Sequence, residues 1–154
     1  MISPNWESEP ASPQDLSSVE ACRLVVQRKI DGLKTPSERN RLGPFATPPT
    51  LAVEMARFVK TILDEDPSPI HFSDPAIGAG SFFSALMSVF PAERVATATG
   101  VEIEPAFAGS ARELWGAFGL EVMEADFTRP GTAKRCSRVG IRKRNRLLRG
   151  GMRQ

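Results

Sequence analysis

The spacing of apolar and polar positions divides the chain into helical and strand-like segments. Apolar residues recur at helical spacing in two early segments and in two later ones, whereas three short apolar segments beyond residue 69 indicate strands. The second of these has the Thr and Val content that is typical of a strand. Prolines at the start of two of the helical segments suit the first turn of a helix. The pattern predicts helices at about 15–33, 49–64, 82–90 and 105–118, and strands at 70–73, 94–101 and 120–123.

The order of segments beyond residue 70 predicts a parallel sheet. Each predicted strand is followed by a helix and then by another strand, and such crossovers build parallel sheets. The expected fold class is α/β, with about three parallel strands, helices before them and an irregular basic tail after them.

The two early helices have candidate packing faces. We expect Asp15 or Ser17 to cap the first helix, with Leu24, Val25 and Ile30 on its apolar side. The second helix has five apolar positions at helical spacing, which are Leu51, Met55, Phe58, Val59 and Ile62.

Composition limits the class of protein. The 154 residues are 41% apolar and 25% charged, as in one soluble globular domain. The pattern includes neither a membrane helix nor a secretory signal, so we expect a cytoplasmic protein. Cys22, Cys136 and His71 form no metal-ligand motif, and the cysteines are expected to be free thiols. Neither Trp6 nor Trp115 suggests any chemistry.

Charge separates the end of the chain from the rest. Residues 129–154 hold half of the 20 Lys and Arg residues and none of the 18 Asp and Glu residues. Such a split indicates segments with different partners. Three parts follow: a lead-in and helix at 1–37, a central α/β part at 38–128, and a basic tail at 129–154.

The glycine-rich segment 74–81 (DPAIGAGS) is the strongest candidate for a binding site. It lies between a predicted strand and a predicted helix, where open α/β sheets bind ligands. Position 83 is Phe rather than the third glycine of a dinucleotide fingerprint, and the lysine of a phosphate-binding loop is absent. Asp74 would repel a phosphate and favours a ligand with positive charge, although it could also be only a helix cap.

Acidic residues follow the second and third predicted strands. Glu102 lies 22 residues after Gly80, where nucleoside-binding α/β folds place a carboxylate for the ribose hydroxyls. Glu104 suits the start of the next helix through its dipole. Asp126 could bind a ligand or lie in an exposed turn, and the adjacent Phe127 could stack on a ring or join the core.

Four segments together resemble a known family. Residues 74–80, 100–105 (GVEIEP) and 125–127 (ADF) are similar to the first three cofactor motifs of S-adenosylmethionine-dependent methyltransferases. Residues 41–49 (RLGPFATPP) resemble the segment that precedes them in adenine-specific DNA methyltransferases of restriction–modification systems. The resemblance covers about residues 38–128 and implies a partial Rossmann-like fold, S-adenosylmethionine as cofactor and DNA as partner.

The resemblance assigns the methionine end of the cofactor to two segments, 41–49 and 74–80, which precede the helix predicted at 82–90. Thr47 would hold the methionine carboxylate, unless it is only a helix cap. Asp74 would receive the methionine ammonium, directly or through water. Ala76, Gly78 and Gly80 would let the backbone lie against the cofactor.

The nucleoside end is assigned to the next two strands. Glu102 would bind the ribose, and Ile103 would cover one face of the adenine. Asp126 would accept a hydrogen bond from the adenine amino group, and Phe127 could stack against the ring.

The family's catalytic motif is absent from this sequence. The motif is Asn/Asp-Pro-Pro-Tyr/Phe, which accepts the hydrogens of the target amine and stacks on the flipped base. The only Pro-Pro pair is Pro48-Pro49, and the chain contains no tyrosine. No catalytic residue is therefore assigned, and we expect no turnover by this chain alone.

Two explanations for the basic tail stay open, and the first is favoured. Either the reading frame shifts after about Thr128, or residues 129–154 form a genuine arm that binds nucleic acid through phosphates. Another frame of the coding DNA that encodes the missing motif would support the first. Two other functions stay open as well: methyl transfer to a different amine, such as a protein glutamine, and non-catalytic nucleic-acid binding through the tail.

Overall fold

The computed structural model describes residues 15–35, 37, 46–63 and 65–134. Their helices and strands follow the order that the sequence predicts, with boundaries that differ by one or two residues. The helix predicted at 105–118 ends earlier, and 116–118 form a 3-10 turn. The elements are α1 (Leu16–Gly32), α2 (Pro49–Leu63), β1 (Ile70–Asp74), α3 (Ser81–Val89), β2 (Val95–Glu102), α4 (Pro105–Trp115) and β3 (Leu120–Glu124).

The three strands form one parallel sheet in the order β1-β2-β3. Phe72 pairs with Ala98, which pairs with Leu120 on the other side. A helix connects each strand to the next, α3 between β1 and β2, and α4 between β2 and β3. The prediction of an α/β fold with a three-stranded parallel sheet is confirmed, and the carboxyl ends of all three strands lie at one edge.

The core joins the sheet to α1, α3 and α4. Phe83 and Trp115 are fully buried and pack edge to face, with ring centroids 5.6 Å apart. Burying a side chain of this size contributes roughly 2–3 kcal/mol. The other buried members of the cluster are Val19, Ile77, Leu86, Phe90, Ala98, Ala111 and Leu120.

The buried side of α1 differs from the prediction. Ile30 is buried as expected, but Val25 is 59% exposed and Leu24 is only half-buried. Val19 and Arg23 are buried instead. The prediction for Val25 was wrong because the buried side of α1 includes Arg23 and is therefore not marked by apolar residues alone. The long stem of an arginine can cover apolar surface as an apolar side chain does.

Arg23 is buried because its charge has a partner. Its guanidinium donates two hydrogen bonds of 2.7 Å to the carboxylate of Glu20. Ser84 on α3 donates a third, of 2.6 Å, to the same carboxylate. Burial raises the pKa of Glu20, but the hydrogen bonds from Arg23 and Ser84 outweigh it, so the pKa lies below the ordinary value. This network ties α1 to α3.

Helix α2 has the predicted apolar periodicity, but that face stays exposed. Leu51, Met55, Phe58, Val59 and Ile62, here called the α2 stripe, are all exposed. The helix contacts α3 through another side, where Ala52 is buried.

The first residues of the basic tail lie against the end of β3. Thr132 is buried, and its hydroxyl donates a hydrogen bond of 3.0 Å to the carbonyl of Asp126. The rest of the tail, with Cys136, lies outside the described residues, as do the lead-in at 1–14 and the whole segment 38–45. Within the part of the chain that the structure describes, no helix is long and apolar enough to cross a membrane.

Candidate functional site

A cavity of about 470 Å³ opens at the carboxyl ends of β1 and β2. Its volume lies in the range of small-molecule and cofactor sites, and open parallel sheets bind ligands at this edge. Five of the nine residues predicted for the cofactor line it, which are Thr47, Ala76, Gly78, Glu102 and Ile103. The remaining lining residues are Gln27, Ala46, Ile77, Ala79, Ser81, Phe82, Glu104, Pro105 and Phe107.

Gly78 gives the cavity a wall of bare backbone. Its φ is +54°, a conformation that favours glycine, and no atom lies within 4 Å of the position that a Cβ would take. That free space belongs to the cavity side of the turn, since Gly78 is one of the lining residues. The backbone at Gly78 is therefore uncovered, and its contact with a cofactor stays a prediction.

Gly80 is glycine for a different reason. Its φ is +91°, and a Cβ would lie 2.7 Å from Cδ1 of Trp115 and closer still to the indole nitrogen. Gly80 is buried and does not line the cavity. The missing side chain leaves room for Trp115 of α4 beside the turn at residues 75–80, here called the glycine turn. Gly80 therefore contributes to the shape of the site without lining it.

Trp115 holds the turn in place, a role that sequence reasoning missed. Its Nε1 donates a hydrogen bond of 2.8 Å to the carbonyl of Ala79, and both residues are buried. The donor and acceptor are 36 residues apart along the chain. Trp115 lies at the end of α4 and belongs to no recognisable motif, so its contact with Ala79 becomes evident only in the folded structure.

Glu102 connects the glycine turn to the tip of β2. Its carboxylate is 8% exposed and accepts a hydrogen bond of 2.9 Å from the amide of Gly78 and one of 2.8 Å from the amide of Glu104. Each bond uses a different oxygen. A carboxylate has about four acceptor positions, so these two hydrogen bonds leave about two of them unused.

The glycine turn also lies directly on β2. The amide of Ile77 donates to the carbonyl of Val101 at 3.0 Å. A Cβ on Gly100 would lie 2.8 Å from the Cβ of Ile77, so only glycine at position 100 lets the turn fold this closely over the strand. Gly100 belongs to the segment 100–105, and its steric role was not predicted from the sequence.

The far wall of the cavity combines an apolar surface with an ion pair. Ile103 lines the cavity and is 62% exposed. Lys34, which follows α1, pairs with the carboxylate of Glu104 and lies 4.6 Å from the ring centroid of Phe107. Sequence reasoning missed this contact of Lys34, because its partner lies 70 residues away along the chain.

Thr47 meets the glycine turn at the start of α2. The hydroxyl of Ser81 donates a hydrogen bond of 3.1 Å to the carbonyl of Thr47. The Thr-Pro segment and the glycine-rich segment therefore contact each other beside the same cavity, although 34 residues separate them.

Asp74 lies outside the lining of the cavity. It is half-buried, and its Oδ1 accepts a hydrogen bond of 2.9 Å from the amide of Ala76, as in a turn that the side chain stabilises. Burial raises the pKa of Asp74, and the hydrogen bond from Ala76 opposes this rise only in part. The assignment of Asp74 to the methionine ammonium stays a prediction.

Asp126 and Phe127 also lie outside the lining. The Oδ1 of Asp126 accepts hydrogen bonds from the amide and the hydroxyl of Thr128, at 2.9 and 2.6 Å. These bonds, with the nearby Arg129 at 3.6 Å, hold the pKa of Asp126 below its ordinary value. Phe127 is exposed. The structure does not bring this pair to the cavity, and their contact with adenine stays a prediction.

The side chains that could ligate a metal do not cluster in the described part of the chain. Across residues 15–35, 37, 46–63 and 65–134, no three His, Cys, Asp or Glu side chains are grouped as metal ligands. His71 on β1 lies with its Nδ1 2.9 Å from the hydroxyl of Thr97 on β2, and Cys22 is a free, exposed thiol.

No family model and no solved structure matches the chain.

Proposed function

We propose that the chain is the S-adenosylmethionine-binding part of a DNA adenine methyltransferase. The observation that carries this proposal is the convergence of Thr47, Gly78 and Glu102 on one cavity at the carboxyl ends of β1 and β2. The resemblance names these residues as cofactor contacts from three separate segments. A partial Rossmann-like arrangement of the three strands is consistent with the same proposal.

The chemistry of the cavity suits a nucleoside. Glu102 has free acceptor positions for ribose hydroxyls, and hydrogen bonds to a charged group contribute about 1.5–3 kcal/mol each. The exposed side chain of Ile103 offers an apolar surface that a planar base would cover. Bare backbone at Gly78 lets the ligand lie against the turn.

The charges of the cavity favour a cation over a phosphate. Among the described residues that line it, those with ionisable side chains are Glu102 and Glu104. Glu104 is paired with Lys34, so Glu102 is the acid that a ligand would meet. A sulfonium nucleoside suits such a wall, whereas the phosphates of a nucleotide would be repelled.

The chain's own part in methyl transfer is to bind and orient. When bound, S-adenosylmethionine supplies an electrophilic methyl group. Glu102 would hold the ribose, and Ile103 would cover the base. The groups that accept the hydrogens of the target amine are missing from the sequence, so we expect binding without turnover.

Calorimetric titration with S-adenosylmethionine tests the proposal. We expect the full chain to bind, and Glu102→Gln to weaken binding about tenfold or more, because the ribose hydroxyls lose a charged acceptor. Glu124→Gln is the matched control, since Glu124 is the register partner of Glu102 on β3 but is exposed and pairs with Arg112 at 3.7 Å. Absence of binding, equal weakening by both variants, or tighter binding of ATP would contradict the proposal.

The acceptor is tested separately from the cofactor. If the reading frame shifts after about Thr128, a chain that continues in the frame encoding the missing motif should methylate adenine in DNA and leave protein glutamine unmodified. Methylation of glutamine instead would redirect the proposal to a protein substrate.

A non-catalytic role has one observation in its favour, which is the concentration of basic residues at 129–154. Under this second candidate function, the chain binds nucleic acid through phosphates and the affinity falls steeply with salt. Salt-dependent DNA binding that is lost on deletion of 135–154, together with no calorimetric response to S-adenosylmethionine, would favour it.

A further inference from the structure

Helix α1 contributes one side chain to the cavity at the glycine turn. Gln27 is half-buried and lines that cavity, although it lies outside the four segments that resemble the methyltransferase family. Its helix is anchored on both sides of this position. Glu20 accepts a hydrogen bond from Ser84 on α3, and Ile30 packs with Ala79 of the glycine turn. The packing of α1 therefore holds Gln27 against the site.

The same two contacts place Gln27 beside the start of α3. Gln27 lies between Glu20 and Ile30 on α1, and Ser81 lies between the partners of those two residues on the facing segment. Ser81 lines the same cavity, and its hydroxyl donates to the carbonyl of Thr47. Gln27 therefore borders the end of the cavity that Thr47 and Ser81 form.

The other end of the cavity is the one proposed for the nucleoside. Lys34, which follows α1, pairs there with Glu104, next to Glu102 and Ile103 at the tip of β2. At the rise of an α-helix, Gln27 and Lys34 are roughly 10 Å apart along the axis of α1. Gln27 would therefore meet the group that the nucleoside carries at its 5′ position, away from the base.

A carboxylate fixes the orientation of the Gln27 amide. Nε2 of Gln27 donates a hydrogen bond of 2.8 Å to Oδ2 of Asp31, one turn later on α1. A carboxylate accepts hydrogen bonds, so the amide nitrogen must face Asp31 and the amide oxygen must face away from it. Oδ1 of Asp31 is buried and has no hydrogen-bond partner among the described residues. Within the same residues, Oε1 of Gln27 accepts no hydrogen bond and stays available to a ligand.

The end of the cavity at Gln27 is polar but uncharged. Among the described lining residues, Gln27, Ser81 and Thr47 offer amide and hydroxyl groups there, whereas the acids Glu102 and Glu104 lie at the other end. Phosphates are bound most strongly by charged donors, which the side chains at this end do not supply. An amino-acid group, whose ammonium and carboxylate charges cancel, can be held there by hydrogen bonds from neutral groups.

We propose, on the basis of the cofactor function proposed above, that Oε1 of Gln27 binds the ammonium group at the methionine end of S-adenosylmethionine. Asp31 is the positioning residue that turns this oxygen toward the ligand. Asp74, which the resemblance assigns to the ammonium, lies outside the lining of the cavity, whereas Gln27 is part of it. The site therefore selects a nucleoside that carries an amino group at the end remote from the base.

Calorimetric titration of the full chain with two nucleosides tests the role of Gln27. S-Adenosylmethionine has the amino-acid end, and 5′-methylthioadenosine lacks it but keeps the ribose and the base. Gln27→Met keeps the length of the side chain and removes the amide. It should weaken binding of S-adenosylmethionine about tenfold, because a hydrogen bond to a charged group is lost, and leave 5′-methylthioadenosine unaffected. Lys29→Met is the matched control, since Lys29 is an exposed polar residue of α1 outside the lining and should leave both affinities unchanged.

Decarboxylated S-adenosylmethionine identifies the group that Gln27 contacts. This ligand keeps the amino group and lacks the carboxylate, so Gln27→Met should weaken its binding about tenfold as well. Asp31→Asn should weaken both amino-bearing ligands about threefold and spare 5′-methylthioadenosine, because an amide at position 31 no longer forces the orientation of Gln27. A loss that disappears with the decarboxylated ligand would overturn the assignment to the ammonium.

A measurement on the wild type keeps the test decisive if Gln27→Met fails to fold. The side-chain amide signal of Gln27 should shift on saturation with S-adenosylmethionine and stay unchanged with 5′-methylthioadenosine. Equal weakening of both nucleosides by Gln27→Met, weakening of neither, or an unchanged amide signal while S-adenosylmethionine binds would overturn the role of Gln27 and leave the cofactor function intact. If the wild type binds neither nucleoside, the cofactor function itself fails, and the role of Gln27 fails with it.

Discussion

The ends of β2 and β3 carry similar acidic sequences and fold into different environments. Glu102 at the end of β2 is buried and accepts hydrogen bonds from two backbone amides, one of them on the glycine turn. Asp126, just after β3, accepts hydrogen bonds mainly from Thr128 in its own turn. Glu102 lines the cavity, whereas Asp126 does not.

The difference comes from what lies across from each acid. The glycine turn folds over β2 because Gly100 leaves room for Ile77. The amide of Gly78 in this turn then donates a hydrogen bond to Glu102. No comparable turn covers the end of β3 among the described residues, so Asp126 stabilises its own loop. An acid after a strand becomes part of a site only where a neighbouring loop surrounds it.

The largest expected effect comes from removing the support beneath the turn at β2. Gly80→Ala should lower the free energy of unfolding by about 3 kcal/mol or more, because a Cβ meets the indole of Trp115 and the positive φ becomes strained. Gly109→Ala is the control within α4, where no atom lies within 4 Å of the new Cβ. Urea unfolding should show Gly109→Ala at or above wild-type stability; an equal loss in both would contradict the packing described for Gly80.

The two acids should differ in their effect on stability. Glu102→Ala leaves the amides of Gly78 and Glu104 without their acceptor, which costs about 1–3 kcal/mol for buried groups. Asp126→Ala should cost less, because its partners lie in a turn that water reaches. If urea unfolding shows the larger loss for Asp126→Ala, the contrast between the two strand ends is wrong.

Trp115→Phe sharpens the same comparison by removing the indole N–H together with part of a fully buried ring. The carbonyl of Ala79 loses its donor and a cavity forms in the core, so stability should fall by about 2 kcal/mol. Hydrogen exchange should accelerate at the amide of Gly80, which bonds to Ile77 within the turn. The amide of Gly119, after α4, is the internal control and should keep its rate; acceleration at both would indicate general loosening of α4.

The smallest effect concerns Asp74 and pH. Burial raises the pKa of Asp74 in the folded chain above its ordinary value of 3.8, so unfolding releases a proton from this group. Its contribution to stability therefore declines as pH rises from below 3.8 through the raised pKa. Asp74→Asn should remove this decline and gain stability relative to the wild type as pH rises from about 4 to about 6. A relative gain toward lower pH would contradict the burial.

The elements of the fold could be predicted because their signals are local. Apolar spacing and the proline at the start of α4 placed α4 and β3 within a few residues, and the order of segments indicated a parallel sheet. The burial of Arg23 could not be predicted, because it depends on Glu20 and on Ser84, which belongs to another helix.

The candidate site could be predicted in part for the same reason. Gly78 and Glu102 stand in recognisable segments after strands, and the structure brings them together. Trp115, Gly100 and Lys34 were missed, because each acts through a contact far along the chain.

Amide chemical shifts of the full chain during titration with S-adenosylmethionine test the central claim most directly. The claim predicts that the shifts of Gly78, Ile103 and Glu104 change together and saturate with one ligand, because these amides surround Glu102 at the cavity. Thr128, beside Asp126, should change least. Saturating changes confined to Thr128 and its neighbours, or no changes at all, would contradict a cofactor site at the end of β2.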